Sequence, residues 1–160
     1  MLPIHTILHP TDFSDRSWNA LQLACALGRD YQARVILLHV IHPPIIAYGE
    51  GVLPPDPELL VREAEERMSE LVSQCAGVTV EKHVEEGDAE HLILSYAEEC
   101  HADLIVMGTH GRTGVRRMLM GSVAEQVERR AACPVLMVSA PFPAAGATAA
   151  PHAMAATAPA

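Results

Sequence analysis

Short unbroken apolar runs alternate along the chain with longer stretches whose apolar positions recur at helical spacing. Runs at 4–9, 35–41, 78–84, 104–107 and 134–138 read as five strands. The second is almost wholly apolar, as a parallel strand covered on both faces requires. Between them, helical spacing predicts a first helix over about 15–30 burying Trp18, Leu21, Ala24, Cys25 and Leu27, with Asp12 or Ser14 as its cap. Asp56-Pro57 opens a second helix reaching about Cys75, with Leu60, Ala64, Met68 and Leu71 inward, and Gly77 stops it. A third starts at Gly87-Asp88 and buries Leu92, Ile93, Tyr96 and Cys100. The fourth opens at Ser122-Val123-Ala124-Glu125, the spacing of a capping box in which Ser122 caps and Glu125 reaches back. Strand and helix in alternation predict an open α/β fold with a parallel sheet and helices on both faces.

Residues 42–55, rich in Pro and Gly, read as a surface excursion. The stretch 140–160 is mostly Ala and Pro with no charge to order it and no core to bury, so it reads as a disordered tail after one domain spanning 1–139. Hydrophobic residues make up 49% of the 160 positions and aromatics only 4%, which implies a core of aliphatic side chains. A net charge of −9 argues against a nucleic-acid surface and against adsorption to anionic lipid. No apolar run approaches the roughly 18–20 residues that span a bilayer. The start, MLPIHTILHP, lacks the basic and long apolar regions of a signal peptide, so the cytoplasm is the expected compartment. Cys25, Cys75, Cys100 and Cys133 stand singly, without the close pairs of a zinc site, and read as reduced, mostly buried small hydrophobes.

The candidate chemistry lies between Gly108 and Ser122. Gly108, Gly111, Gly114 and Gly121 follow a buried strand and precede a helix start. Such a start presents unsatisfied N–H groups and partial positive charge, and glycine lets backbone approach an anion closely. Arg112, Arg116 and Arg117, with no carboxylate among them, and the hydroxyls of Thr109, Thr113 and Ser122 suit the same ligand. The reading is a phosphate cradle. It is not a lysine-bearing P-loop, because the one lysine is Lys82, and GxGxxG is absent. His9 and His39, near the ends of neighbouring strands, make a weak metal pair and read instead as satisfied polar residues at the crevice rim.

The spacing G-x2-G-x9-G-S resembles the nucleotide-binding motif of the universal stress protein family. With PTDFS near the start, LLHV in the second strand and ADLIVMGTHGRTG, the resemblance covers residues 1 to about 139. It implies a Rossmann-like five-stranded sheet of order 3-2-1-4-5, with strands one and four adjacent and a crevice at their carboxyl ends. It implies ATP as ligand, with ADP or AMP as alternatives, accompanied by Mg2+ or Mn2+. Pro10 and Thr11 would lie on the adenine side. Asp12 would accept from a ribose hydroxyl or help to hold the metal, beyond its turn-forming role. Val40 would set backbone groups against the adenine edge, and Met107, Gly108, His110, Gly111, Arg112, Gly121, Ser122 and Val123 would surround the phosphates. The resemblance also implies a homodimer through strand 135–138.

Two function classes follow, a nucleotide-binding stress-response regulator and a slow ATPase or phosphoryl or nucleotidyl transferase. Phosphoryl transfer needs a positioned nucleophile as well as charge neutralisation. The motifs hold no water-positioning carboxylate or glutamine, which favours the regulator. A structural dimer without nucleotide is the third reading, and the retained glycine pattern argues against it.

Overall fold

A computed structural model describes residues 3–42, 56–109 and 121–141. Five strands, β1 (Thr6–Thr11), β2 (Arg34–Ile41), β3 (Val80–Glu86), β4 (Leu104–Gly108) and β5 (Val135–Val138), form one sheet in the order β3-β2-β1-β4-β5. Every pairing is parallel. Four helices connect them: α1 (Asp15–Tyr31), α2 (Pro57–Ser73), α3 (Ala89–Glu99) and α4 (Ser122–Arg130). This is the expected doubly wound order. The excursion at 43–55 and the tail from 142 onward lie outside the described residues.

The two faces of the sheet bury different helices. Leu8, Ile36, Leu38, Ile105 and Met107 pack with Ile93 and Ala97 of α3 and Ala124 and Val127 of α4. On the other face, Ile7, Val35 and Val106 meet Ala20 and Ala24 of α1. Leu37 joins Leu21 and Cys25 of α1 to Met68 of α2. Each fully buried large aliphatic side chain contributes roughly 1.5–3 kcal/mol. Trp18, Leu27, Leu60, Leu71, Leu92, Tyr96 and Cys100 point inward as expected but are only half-buried.

Local capping sets the helix starts. Ser14 caps α1, accepting from the Ser17 N–H at 3.2 Å, while Asp12 holds Ser14 rather than capping. Asp56 caps α2 with Pro57 in the first turn, and Asp88 caps α3. Sequence expectations are corrected at three points. The first strand runs two residues later than 4–9 and continues through Pro10, because its ladder with β2 spans Thr6↔Arg34 to Thr11↔His39. The third strand runs two residues later than 78–84, because its ladder with β2 begins at Val35↔Val80 and continues to Ile41↔Glu86. The fourth helix is capped by Gly121, not Ser122: Gly121 is extended, Ser122 is already helical, and no side-chain capping bond forms.

His9 is a further correction. It is fully buried within β1 rather than at a rim. Its Nδ1–H donates to the Val106 carbonyl at 2.7 Å, and its Nε2 has no hydrogen-bond partner among the described residues.

Gly28 shows how tightly α1 lies against the sheet. A Cβ there would stand 2.5 Å from Val78 Cγ2, 3.1 Å from Val35 Cγ2 and 3.2 Å from the Ala33 carbonyl oxygen. Overpacking of this kind costs about 1–3 kcal/mol, against a helix-propensity gain of up to about 1 kcal/mol for alanine. Gly28→Ala is therefore expected to lower unfolding free energy by about 1 kcal/mol in urea titrations. An unchanged or higher midpoint would show that Val78 yields freely.

Candidate functional site

In this sheet order the chain leaves β1 toward one face and β4 toward the other, which opens a crevice at their carboxyl ends. A cleft of about 720 Å³ lies there, within the range of small-molecule sites. Pro10, Thr11 and Asp12 line it from the end of β1, Val40 from β2, and Met107 and Gly108 from β4. Gly121, Ser122 and Val123 line it from the start of α4. Segments a hundred residues apart thus meet in one cavity. His110, Gly111 and Arg112, with the rest of 110–120, lie outside the described residues.

The turn after β1 is held by its own polar groups. Asp12 Oδ1 accepts from the Ser14 N–H at 3.0 Å and from the Ser14 hydroxyl at 2.6 Å, an Asx turn. Thr11 is buried, and its hydroxyl oxygen accepts from Ser17 Oγ at 2.7 Å and from the Phe13 N–H at 3.2 Å. That oxygen therefore serves the turn first. Asp12 Oδ2 is different: it is buried and has no hydrogen-bond partner among the described residues. A buried carboxylate oxygen left unpaired costs about 1–3 kcal/mol or more, so its persistence in a cleft needs a reason.

On the opposite side, the Gly121 N–H donates to the Thr109 carbonyl at 2.9 Å, tying the start of α4 to the end of β4. Thr109 N–H in turn donates to the Val138 carbonyl at 3.2 Å, which ties the end of β4 to β5. Gly108 must be small for a separate reason: a Cβ would come within 3.0–3.2 Å of the Arg16 backbone and Cβ, so α1 packs directly on the end of β4. With glycine at the cap, no side-chain capping bond forms among the described residues, and Gly121, Ser122 and Val123 at the positive end of α4 line the cleft.

The third wall was not foreseen. Phe13, in the left-handed region at φ 63°, lays its ring on His39 with centroids 4.2 Å apart, and the Arg67 guanidinium of α2 sits 4.1 Å over the same ring. His39 donates from Nδ1 to the Thr11 carbonyl at 2.8 Å. Leu60, Glu63 and Ala64 of α2 and Ala89 and Ile93 of α3 complete the lining. Nothing in their local sequence marks these residues, because α2 reaches the cleft only through packing. His9 and His39 share one face of the sheet but do different work, the first in the core and the second at the cleft. Among the described residues, no group of three His, Cys, Asp or Glu side chains is placed to hold a metal ion.

A doubly wound parallel α/β domain with its cleft at the strand-order reversal is thereby defined. The Universal stress protein family model matches residues 3–139, and the chain belongs to that family. It is 38% identical over 139 residues to universal stress protein MJ0531 of Methanocaldococcus jannaschii, covering 84% of this chain and 82% of that one. Among solved structures, it is similar to the M. jannaschii protein MJ0577, with a TM-score of 0.74 and 31% identity over 89% of this chain and all of that one. It is also similar to the universal stress protein from Archaeoglobus fulgidus in complex with dAMP, with a TM-score of 0.63 and 26% identity over 87% of this chain and all of that one.

Proposed function

We propose that this universal stress protein binds an adenine nucleotide, ATP foremost and ADP or AMP as alternatives, and acts in the stress response through a nucleotide-dependent change of conformation or partner. The observation that carries this is one cleft joining the Asp12 oxygen, which has no partner among the described residues, to the glycine-capped start of α4. A ribose hydroxyl supplies the hydrogen bond that Asp12 Oδ2 lacks, and backbone N–H groups at Ser122 and Val123 suit phosphate oxygens. Pro10, Thr11, Val40, Met107 and Gly108 line the same cleft, and the first three would face the base. His110, Gly111 and Arg112 would extend the phosphate site from the neighbouring segment. Mg2+ or Mn2+ would accompany the nucleotide, and Asp12 would help to hold it. The dAMP complex of the A. fulgidus relative supports the ligand class.

The edge strand β5 supports a homodimer. Leu136 on it is 37% exposed, and an apolar strand edge is a template for pairing with a second copy.

Calorimetric titration with ATP and Mg2+ tests the reading. A dissociation constant of about 1–100 μM is expected, and no binding at about 1 mM would overturn it. Phosphate release in the same samples should stay well below about 1 s⁻¹; turnover at that rate would make the protein an enzyme.

A further inference from the structure

Cys25 and Cys75 are fifty positions apart and neither belongs to the cleft. Cys25 lies in α1, and Cys75 lies two residues past the end of α2. Both are buried, 3% and 5% exposed, among Leu21, Leu37 and Met68. The Cys25 thiol donates to Cys75 Sγ at 2.7 Å, leaving the sulfurs about 0.7 Å beyond disulfide bonding distance. Arg29, one turn along α1 from Cys25, donates from Nη1 to the Ala76 carbonyl at 3.2 Å, which places its positive charge beside Cys75.

The two thiols are chemically unequal. The bond that Cys25 donates raises its own pKa, as does burial. Accepting that bond lowers Cys75, and the Arg29 charge acts in the same direction against burial. Cys75 is therefore the more acidic of the two thiols, and the thiolate is the form that reacts with oxidants.

We propose that Cys25 and Cys75 form a redox-modification site, which hydrogen peroxide or a small organic hydroperoxide converts to an intramolecular disulfide linking α1 to the end of α2. The Cys75 thiolate attacks one peroxide oxygen and the O–O bond breaks. This leaves Cys75 as a sulfenic acid, and the departing hydroxide takes up the proton Cys75 released, giving water. The Cys25 sulfur then attacks the Cys75 sulfur. The S–S bond forms, the S–O bond breaks, and the sulfenic hydroxyl leaves as water with the Cys25 proton. Two thiols are oxidised by two electrons, and one peroxide is reduced to two waters. A small-molecule dithiol reverses the step by exchange. The product pins the far end of α2, a helix that lines the cleft through Leu60, Ala64 and Arg67.

The test treats reduced full-length protein with hydrogen peroxide, blocks remaining thiols with N-ethylmaleimide after denaturation, and maps the digest by mass spectrometry without reduction. The expected result is a mass lower by two hydrogens and a cross-linked peptide pair joining Cys25 to Cys75, at least about tenfold more abundant than any other cysteine pair. The thermal midpoint should rise by about 4–8 °C and return on dithiothreitol treatment. The Cys100→Ser, Cys133→Ser double variant should keep both effects, and Cys25→Ala should instead accumulate a sulfenic acid on Cys75 that dimedone traps. Recovery of Cys25 and Cys75 both alkylated, or a dominant cross-link to Cys100 or Cys133, overturns the proposal. The peptide map of the unsubstituted chain decides this whether or not the variants fold.

Discussion

Asp12→Asn is expected to weaken ATP binding about 10–100-fold while leaving the protein folded, because a hydrogen bond to a charged group contributes about 1.5–3 kcal/mol. The choice of asparagine separates two roles. Oδ1 holds the turn through Ser14, and an asparagine oxygen can keep both of those bonds. Oδ2 takes no bond among the described residues, and it is this oxygen that becomes an amide nitrogen. An amide there cannot accept from a ribose hydroxyl and adds no negative charge beside a metal–nucleotide complex. Asp12→Ala should lose affinity to a similar degree and also lose stability, since the Asx turn goes with it. Calorimetric titration beside urea unfolding of both variants reads the two effects independently. If the asparagine variant binds ATP as the parent does, the carboxylate is only a turn former and the ligand lies elsewhere in the cleft.

Acidification from pH 7.5 to pH 5 is expected to remove about 2 kcal/mol of unfolding free energy through His9 alone. Burial pushes its pKa from 6.5 down to about 4, opposed by its bond to the Val106 carbonyl and by the Asp12 charge. The sign follows from which state binds the proton. The unfolded chain takes up a proton below about pH 6.5, whereas the folded chain resists until about pH 4. The contribution of His9 is therefore intact above pH 6.5, declines as pH falls and is fully lost below pH 4. His9→Gln retains a donor for the Val106 carbonyl but cannot titrate. Urea titrations across this range should give a shallower pH dependence for the variant by about 2 kcal/mol at pH 5. Parallel curves for parent and variant would show that His9 is hydrated in the folded state.

Much of the architecture was written in local pattern. The run at 35–41 could only be a strand buried on both faces, and Asp56-Pro57 and Asp88 announced helix starts that the structure keeps. The misplaced features have a common cause. Ser122 and Glu125 carry a capping-box spacing, but the backbone at Gly121, tied to Thr109, puts the helix boundary one residue earlier. The third strand shifted because its ends follow the β2 ladder rather than its own apolar run. Position near a strand end suggested a rim for His9, yet α1 and β4 close over it.

The amino-acid order by itself determined the elements, their alternation, the glycine spacing that follows β4 in sequence and the acidic turn after β1. Hydrophobic spacing and capping act within a few residues, so they are readable there. Only the tertiary structure decided that Asp12 stands in the same cleft as Gly121, that Phe13, His39 and Arg67 stack into a wall, and that Cys25 touches Cys75. Those contacts join residues tens of positions apart. They arise from how helices seat on a twisted sheet, where side-chain volume at sites such as Gly28 and Gly108 sets the approach and no local pattern records the outcome.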